Sequence, residues 1–522
     1  MNENTVLDAK KPGYFKKTFV YAFLLVFALT ALWSLATPLF GGPDEPVQVI
    51  KAVAVARGEL TGRLVGNSHS SFGKVSVPQY YAKTRNIPTC FHRNPKQSAD
   101  CAPLPHGSST PTDAFTYVDR YPPLYYLFVG LPSLLGEHRL EIYLMRLSSA
   151  ALSSLFVALA VAACLRYAQS PIILTGVVMG ATPLLMFLAG VVNPAGLEAS
   201  AALATWTSGA IMLRQYKDGP PKPLVTIFIV SSVVFELIRG LSPFWLFLTG
   251  IVLALSVPRR NLFRLLESRY VKTAGVVIAA FGALATVWIF SFNTLNLYSR
   301  TKVPYSMREL KVLEIAFGRS MQFIHQIIGV FGWSDTSSPF GSYLIYICII
   351  ISLIILALFL GDRHDIYSLS ALIATAVIMP IIISSSQVHQ IGFVWSGRDS
   401  LPVAVGIPVL SAETISRNYQ KLFTLKQVEK LSFFVLWCVL IARVFSYMES
   451  LRRNAVGTLG PDFSFLIHAP FNPTIGNFRL LLLEILVLSA AVLSVKRAIR
   501  HRMPELNLSQ EDPGTETEKI NG

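Results

Sequence analysis

Apolar segments of about 20 residues recur along almost the whole chain, and this pattern restricts the fold more than any other feature. A helix of about 20 apolar residues is long enough to cross the hydrocarbon core of a bilayer. Because 52% of the 522 residues are hydrophobic and only 14% are charged, the sequence predicts a membrane protein rather than a set of soluble domains. The candidate segments lie near 18–39, 142–165, 172–191, 196–213, 223–239, 241–257, 273–292, 341–360, 366–386, 400–416, 431–447 and 478–495. The predicted fold class is therefore an all-α polytopic membrane protein with about 12 transmembrane helices, within a range of about 11 to 13.

The distribution of basic residues predicts the orientation of these helices. The net charge is +15, but the lysines and arginines gather in short segments that alternate with the predicted spans. The positive-inside rule places those segments, and with them both chain termini, in the cytoplasm. A nucleic-acid-binding surface would instead form one basic patch in a soluble domain, so no nucleic-acid partner is expected.

The same reading divides the chain into three parts. Residues 1–17 are predicted to be a cytoplasmic segment, 18–497 a membrane domain, and 498–522 a disordered cytoplasmic tail, because the tail combines prolines with mostly acidic charges. The long segment 40–141 is predicted to be an external loop. Within it, 121–136 is too short for a span, and its paired prolines favour a re-entrant or surface helix.

Two adjacent carboxylates follow the first apolar segment directly. Asp44 and Glu45 lie between Pro43 and Pro46, which favours a rigid presentation of the pair. A carboxylate at this point can simply complement the dipole of a following helix, predicted over 48–60 along the membrane surface. It can also serve as the catalytic base of an enzyme that acts on lipid-linked substrates, with Asp44 the first choice and Glu45 the second.

Three arginines lie at or near predicted outer helix ends, namely Arg146, Arg239 and Arg398. Ionisable residues at membrane depth indicate function, and the planar guanidinium suits phosphate. Glu236 lies one turn before Arg239, so a structural ion pair is an equal alternative. The arginines are therefore candidates for phosphate binding, of which Arg146 is the weakest.

Other polar and aromatic residues of the predicted outer face are candidates for binding a sugar or an acceptor. Each also has a simpler interpretation, since aromatic residues form interfacial belts and acidic residues favour helix N-termini. The candidates are Tyr121, Tyr125, Asn193, Glu198, Trp333 and Asp335.

The five cysteines fall into two groups. Cys90 and Cys101 lie together in the predicted external loop, where an oxidising compartment permits a disulfide. The alternative is two free thiols. Cys164, Cys348 and Cys438 lie in predicted spans and act as small apolar residues. No Cys or His spacing is typical of zinc, and no metal ligands are assigned.

Several weak motifs occur in an order that resembles the bacterial membrane family catalogued as domain of unknown function 2142. The resemblance covers about residues 18–450. The motifs are Pro43–Pro46, Arg57–Leu60, Tyr121–Pro123, Met145–Leu147, Asn193–Pro194, Arg239–Pro243, Val330–Thr336 and Gly397–Arg398.

That family is similar to the GT-C class of integral-membrane glycosyltransferases, which take sugars from polyprenyl-phosphate donors and carry an acidic motif in the first external loop. The resemblance implies a GT-C-like architecture and an active face outside a bacterial plasma membrane. It also implies transfer of a sugar to an envelope glycan or lipid. Asp44 or Glu45 would then be the base, and the arginines would hold the leaving phosphate. A divalent cation, Mg²⁺ or Mn²⁺, at the acidic pair remains an open alternative.

Two other functions stay open. A translocator of lipid-linked saccharides would carry ionisable residues in the middle of many spans, whereas those of this chain gather at the outer helix ends. A non-catalytic subunit of an envelope-synthesis complex would keep the fold without the chemistry. Gln48, where the family often has histidine, and Ala195, where an acidic residue is common, favour this last interpretation.

Overall fold

The computed structural model of the protein describes residues 12–65, 73–216, 219–295 and 309–511. Helices dominate these residues, and short strands form two small sheets. The helices are α1 (Pro12–Ala36), α2 (Glu45–Ala56), α3 (Gln79–Ala82), α4 (Leu124–Gly130), α5 (Arg139–Tyr167), α6 (Ile173–Gly180), α7 (Pro183–Ala189), α8 (Pro194–Gln215), α9 (Lys222–Glu236), α10 (Ser242–Leu255), α11 (Arg259–Glu267), α12 (Arg269–Ser291), α13 (Glu309–Gly318), α14 (Ser320–Gly329), α15 (Phe340–Leu360), α16 (Arg363–Ile391), α17 (Gly397–Ala404), α18 (Gly406–Asn418), α19 (Leu425–Val456) and α20 (Asn477–Glu511). The strands are β1 (Arg63–Leu64), β2 (Gly73–Pro78), β3 (Pro111–Thr116), β4 (Val330–Phe331) and β5 (Thr336–Ser337).

Seven helices of the described residues are long and apolar enough to cross a membrane. An eighth span results if α10 and α11, which meet at an angle of 113°, are counted together. The all-α polytopic membrane class is thus confirmed. The sequence predicted about twelve transmembrane helices, whereas seven or eight helices of the described residues are long and apolar enough to be one. The seven are α1, α5, α12, α15, α16, α19 and α20.

The remaining predicted segments form shorter or fully enclosed helices. The apolar segment 172–191 divides into α6 and α7, because Thr182 accepts the amide of Leu185 at 3.3 Å and Pro183 begins the second helix. The segment 400–416 likewise divides between α17 and α18. An apolar segment of sufficient length is therefore not always one continuous helix.

Helix α8 lies at the centre of the bundle. Its sequence is rich in alanine, serine, threonine and glycine, and small side chains let neighbouring helices approach closely. It packs against α5, α9 and α18, and almost all of its residues are buried. The indole N–H of the buried Trp206 donates to the carbonyl of Pro402 at 2.9 Å. This contact fixes α17 against the central helix.

The outer surfaces of the long helices carry large apolar side chains. Phe290 of α12, Phe340 and Phe359 of α15 and Ile378 of α16 are all exposed. Many large apolar side chains exposed along long helices are unusual on soluble monomers and normal on surfaces that lipid covers. The protein accordingly lies in the lipid bilayer.

The region between α1 and α5 folds into a compact unit rather than an open loop. Strands β1, β2 and β3 form an antiparallel sheet in which Gly73 pairs with Thr116 and Pro78 with Pro111. Helix α2, predicted over 48–60 to lie along the membrane surface, is instead buried from Glu45 to Val55 because it packs against α4, β2 and β3. The surface-helix prediction is wrong for this reason.

The segment predicted as a re-entrant or surface helix forms α4 and one 3-10 turn, Leu131–Leu134. One face of this pair is buried against α2 and α5. The other face exposes Leu127, Phe128 and Leu134. A short helix with one exposed apolar face suits the boundary between lipid and water.

The C-terminal region differs from the prediction. Residues from 498 onward were expected to be disordered, yet α20 continues to Glu511, because residues 496–503 are mostly good helix formers. Residues 512–522, and 1–11 at the other terminus, lie outside the described residues.

Candidate active site

The two adjacent carboxylates point in different directions. Asp44 precedes α2 with a left-handed backbone conformation, φ 60°, and Glu45 is the first residue of that helix. Aspartate is one of the few residues that adopt this conformation readily. As a result the Glu45 side chain is fully buried, whereas that of Asp44 is 22% exposed.

Glu45 is held by a buried arginine. Arg146 donates from Nε to Glu45 Oε1 at 2.6 Å and from Nη2 to Oε2 at 2.7 Å. The same guanidinium donates to the carbonyls of Ser34, Thr37 and Pro38 at 2.7–2.9 Å. Every donor of the Arg146 guanidinium is thus directed at protein acceptors. The pair therefore fixes the end of α1 to α5, and it offers no free donor to a substrate.

Asp44 pairs with one of the other arginines. Its two oxygens accept from Arg398 Nη2 and from the Tyr117 hydroxyl, both at 2.5 Å. Burial favours the neutral acid, but the Arg398 guanidinium and the Tyr117 hydrogen bond outweigh burial and lower the pKa of Asp44. Burial and the charge of Asp44 together raise the pKa of Tyr117 well above its usual value. The site therefore holds an ionised carboxylate beside a protonated phenol at neutral pH.

A second arginine joins two carboxylates beside this pair. Arg239 donates to Glu198 at 2.9 Å and to Asp399 at 2.7 Å. Ser242 also donates to Glu198, at 2.6 Å, and Asp399 accepts from the hydroxyl and amide of Ser396 in a capping box. Burial opposes ionisation of Asp399, but Arg239 and Arg398 lower its pKa.

These residues form one charged cluster at the end of the bundle where α2, α8, α10 and α17 begin, which we call the Asp44 cluster. Its arginines lie beside carboxylates, so each arginine has at least one carboxylate partner. Nη1 of Arg398 is buried and has no hydrogen-bond partner among the described residues. The cluster comprises Asp44, Tyr117, Tyr121, Glu198, Arg239, Arg398 and Asp399.

The structure places the predicted aromatic and amide candidates in two different environments. Tyr121 is half-buried and lies near Arg239 and Asp399, and burial raises the pKa of its phenol. Tyr125 is fully buried, and its hydroxyl donates to Ser149 at 2.9 Å. Asn193 caps α8, with its amide donating to the Pro43 carbonyl at 2.9 Å. Tyr125 and Asn193 therefore support the scaffold around Asp44.

Trp333 and Asp335 lie in the hairpin formed by β4 and β5. The Trp333 indole donates to the Phe40 carbonyl at 3.2 Å, four residues before Asp44. Asp335 accepts from Arg453 Nη2 at 2.8 Å. These contacts hold the hairpin against the loop that precedes Asp44, and they occupy the Asp335 carboxylate.

Arg453 also organises a disulfide-closed loop. Cys90 and Cys101 are joined by a disulfide. The carbonyls of Phe91 and Gln97, inside the segment that this disulfide closes, accept from Arg453 at 2.7 and 3.1 Å. The segment is thereby attached to α19.

Sequence reasoning missed two members of the Asp44 cluster. Asp399 had a detectable signal, because Ser396 and Asp399 have capping-box spacing. Tyr117 had none, since its position depends on how β3 packs. No group of three or more His, Cys, Asp or Glu side chains placed to hold a metal ion occurs within the described ranges.

A separate apolar cavity of about 390 Å³ lies between α1, α5, α19 and α20. Its lining on α1 runs from Lys17 to Leu29, so it is near the end of α1 that is remote from Asp44. A second charged cluster, Arg214, Asp365, Glu413 and Arg417, joins α8, α16 and α18 at that remote end. Neither feature touches the Asp44 cluster.

Long apolar helices with lipid-exposed surfaces define this chain as a multi-pass membrane protein. It belongs to the family described as predicted membrane protein (DUF2142), which matches residues 27–407. The charged residues of the Asp44 cluster lie inside that match, whereas Arg453 lies outside it. No curated protein and no solved structure matches the chain. The resemblance to the family is confirmed, and the relation to GT-C enzymes stays a prediction.

Proposed function

We propose that this protein transfers a sugar from a polyprenyl-phosphate donor to an envelope glycan or lipid at the outer face of a bacterial plasma membrane. The observation that carries the proposal is the Asp44–Arg398 pair. In this pair an ionised, partly exposed carboxylate contacts a guanidinium whose Nη1 has no hydrogen-bond partner among the described residues. A general base beside a phosphate-binding guanidinium suits a transfer reaction whose donor is a lipid-linked phosphate.

In the proposed reaction the acceptor hydroxyl attacks the anomeric carbon of the donor sugar. Its proton passes to the Asp44 carboxylate, the new glycosidic bond forms, and the bond between the anomeric carbon and the phosphate oxygen breaks. The electron pair leaves with that oxygen as polyprenyl phosphate. Arg398 stabilises the negative charge that develops there, because a fixed cation stabilises a developing anion.

Donor binding would also change the pKa of Asp44. Arg398 now lowers the pKa of Asp44, which makes Asp44 a weak base. A donor phosphate that draws Arg398 away would raise that pKa toward neutrality, where general bases are most effective. Asp44 would thus become a better base only after the donor has arrived.

The other predicted site residues take supporting roles in this proposal. Arg239 orients Asp399, which in turn faces Arg398, and Glu198 fixes Arg239. Arg239 is thus a weaker candidate for direct phosphate contact than Arg398. Glu45 and Arg146 hold the loop that presents Asp44, so we assign them a positioning role.

The test is transfer of radiolabelled sugar from a panel of polyprenyl-phosphate sugars to envelope glycan fragments, with purified protein in nanodiscs. We expect Asp44→Asn to lower kcat by about 10²–10⁴-fold, the range for loss of a general base. Asp113→Asn is a matched control, since Asp113 forms exposed ion pairs with Arg63 and Lys74 in the sheet. That variant should remain as active as wild type.

Two outcomes would contradict the proposal. One is an active wild type whose rate Asp44→Asn leaves unchanged. The other is a protein that consumes no donor of the panel, while a deletion strain recovers its envelope glycans when complemented with Asp44→Asn. The second result would favour a translocator or a non-catalytic subunit.

A further inference from the structure

A polar cavity of about 330 Å³ lies between α14 and the β4–β5 hairpin. This volume falls within the range of about 300–1,000 Å³ that is typical of small-molecule sites. Besides Val330, its lining consists of polar and aromatic side chains, none of which the sequence analysis proposed as a site residue. These are Gln322, His325, Gln326, Ser334, Ser337 and Tyr343.

One wall of the cavity is a single face of α14. Gln322, His325 and Gln326 are spaced by three and four residues, so they project from the same side of the helix. Gln322 and His325 are exposed and therefore accessible to a ligand. Gln326 already has one hydrogen-bond partner, because its side-chain oxygen Oε1 accepts from the Gly397 amide at 2.6 Å.

The opposite wall is held rigidly in place. The Tyr343 hydroxyl donates to the Gly329 carbonyl at 2.6 Å and accepts the Ser338 amide at 3.1 Å. His325 lies edge-on to the Tyr343 ring, with 4.9 Å between ring centroids. A binding site is most effective when its own hydrogen bonds fix the lining in advance.

The cavity is also close to the Asp44 cluster. Gln326, in its lining, is bonded to the residue that precedes Arg398, and Arg398 contacts Asp44 directly. Trp333 adjoins Ser334 of the lining and is bonded to the loop before Asp44. A ligand in the cavity would thus be connected to the proposed base through Gln326, Gly397 and Arg398.

The chemistry of the lining selects one kind of ligand. Among the described residues, no aspartate, glutamate, lysine or arginine lines the cavity. Amides and hydroxyls both donate and accept hydrogen bonds, which suits a molecule with many hydroxyl groups. An aromatic ring offers an apolar surface to the C–H face of a sugar.

We propose that this cavity binds a neutral saccharide, the sugar part of the acceptor, and positions its hydroxyl toward Asp44. The identification of the ligand as the acceptor rests on the transferase function proposed above. The cavity itself is a saccharide site whether or not that reaction takes place, so the two proposals can fail separately.

Direct binding is measured by saturation-transfer NMR on the full-length protein in nanodiscs, with a panel of neutral di- and trisaccharides. Maltoside detergents are avoided because their headgroups are themselves neutral saccharides. We expect Gln322→Ala and His325→Ala each to weaken binding about tenfold, the effect of losing one hydrogen-bond partner. Gln420→Ala is the control, because Gln420 is exposed just after α18, at the end of the bundle remote from Asp44, and this variant should bind like wild type.

The transfer assay provides the second readout. Gln322→Ala should raise KM for the acceptor about tenfold and leave KM for the donor as in wild type. Asp44→Asn should bind saccharide as wild type does.

The outcomes separate the two proposals. If transfer requires Asp44 but the wild type binds no saccharide, or if Gln322→Ala and Gln420→Ala behave alike, the saccharide site is refuted and the transferase stands. If saccharide binds and requires Gln322 while no donor is consumed, the transferase fails and the cavity remains a saccharide site.

Discussion

Replacing Glu45 should destabilise the protein, whereas replacing its neighbour Asp44 should not. Arg146 and Glu45 are both fully buried, and two hydrogen bonds of 2.6 and 2.7 Å join them. Glu45→Gln leaves the guanidinium buried without a counter-charge. Removing one partner of a buried ion pair costs about 3–5 kcal/mol. Because glutamine keeps one acceptor oxygen, one of the two hydrogen bonds to a charged group is lost outright, and roughly 1.5–3 kcal/mol of this cost comes from that bond.

Asp44→Asn should change the free energy of unfolding much less. The side chains of Asp44 and Arg398 are 22% and 23% exposed, so water can solvate what the substitution leaves unpaired. Pairs with access to solvent contribute about 0–1 kcal/mol. The two variants should therefore differ by at least about 2 kcal/mol in the free energy of unfolding, although the residues are adjacent.

The assay is SDS-induced unfolding in mixed micelles, followed by resistance to protease. Glu45→Gln should unfold at a clearly lower SDS fraction than wild type, and Asp44→Asn close to wild type. Arg146→Met would remove the buried charge but also the donors to the carbonyls of Ser34, Thr37 and Pro38. The double variant, Glu45→Gln with Arg146→Met, should therefore lose less stability than the sum of the two single variants. The reasoning is refuted if Glu45→Gln unfolds like wild type, or if the losses of the two single variants simply add in the double variant.

Three further predictions concern stability. Burial lowers the pKa of Lys51 to about 8, against about 10.4 when unfolded, so stability should rise between pH 8 and 10 by up to about 3 kcal/mol. SDS unfolding at both pH values should show this rise in wild type and not in Lys51→Met. Replacing Cys90 and Cys101 by serine should cost about 2–3 kcal/mol, seen as faster proteolysis between them. Gly176→Ala should cost about 1–3 kcal/mol in the same SDS assay, because its Cβ would lie 2.3 Å from a carbonyl oxygen of α18. Gly250→Ala should be neutral or stabilising, because no described residue would lie within 4 Å of its Cβ.

The sequence predicts the class of fold well because the length of an apolar helix is set by the bilayer itself. It does not show where an apolar segment breaks. The division of 172–191 depends on Thr182 and Pro183, a cap and a first-turn proline that are visible in the sequence but common elsewhere. The sheet between α1 and α5 was missed because its pairings are long-range, as in the strand pair Gly73–Thr116.

The candidate site shows a similar limit. The sequence could place Asp44 and Arg398 near one face of the membrane, since both lie next to predicted spans. It could not show that these residues, 354 positions apart, form an ion pair. Nor could it show that every N–H of the Arg146 guanidinium donates to a protein acceptor, because three of these acceptors are backbone carbonyls at the end of α1.

The backbone at Asp44 explains how one dipeptide serves two purposes. A left-handed residue at the start of α2 rotates its side chain away from the one that follows. Glu45 can then enter the core while Asp44 stays accessible and meets Arg398. Unusual backbone conformations persist where the surroundings enforce them, and here the Glu45–Arg146 pair does so. The buried pair thus positions the accessible one, which is why stability should depend on Glu45 and activity on Asp44.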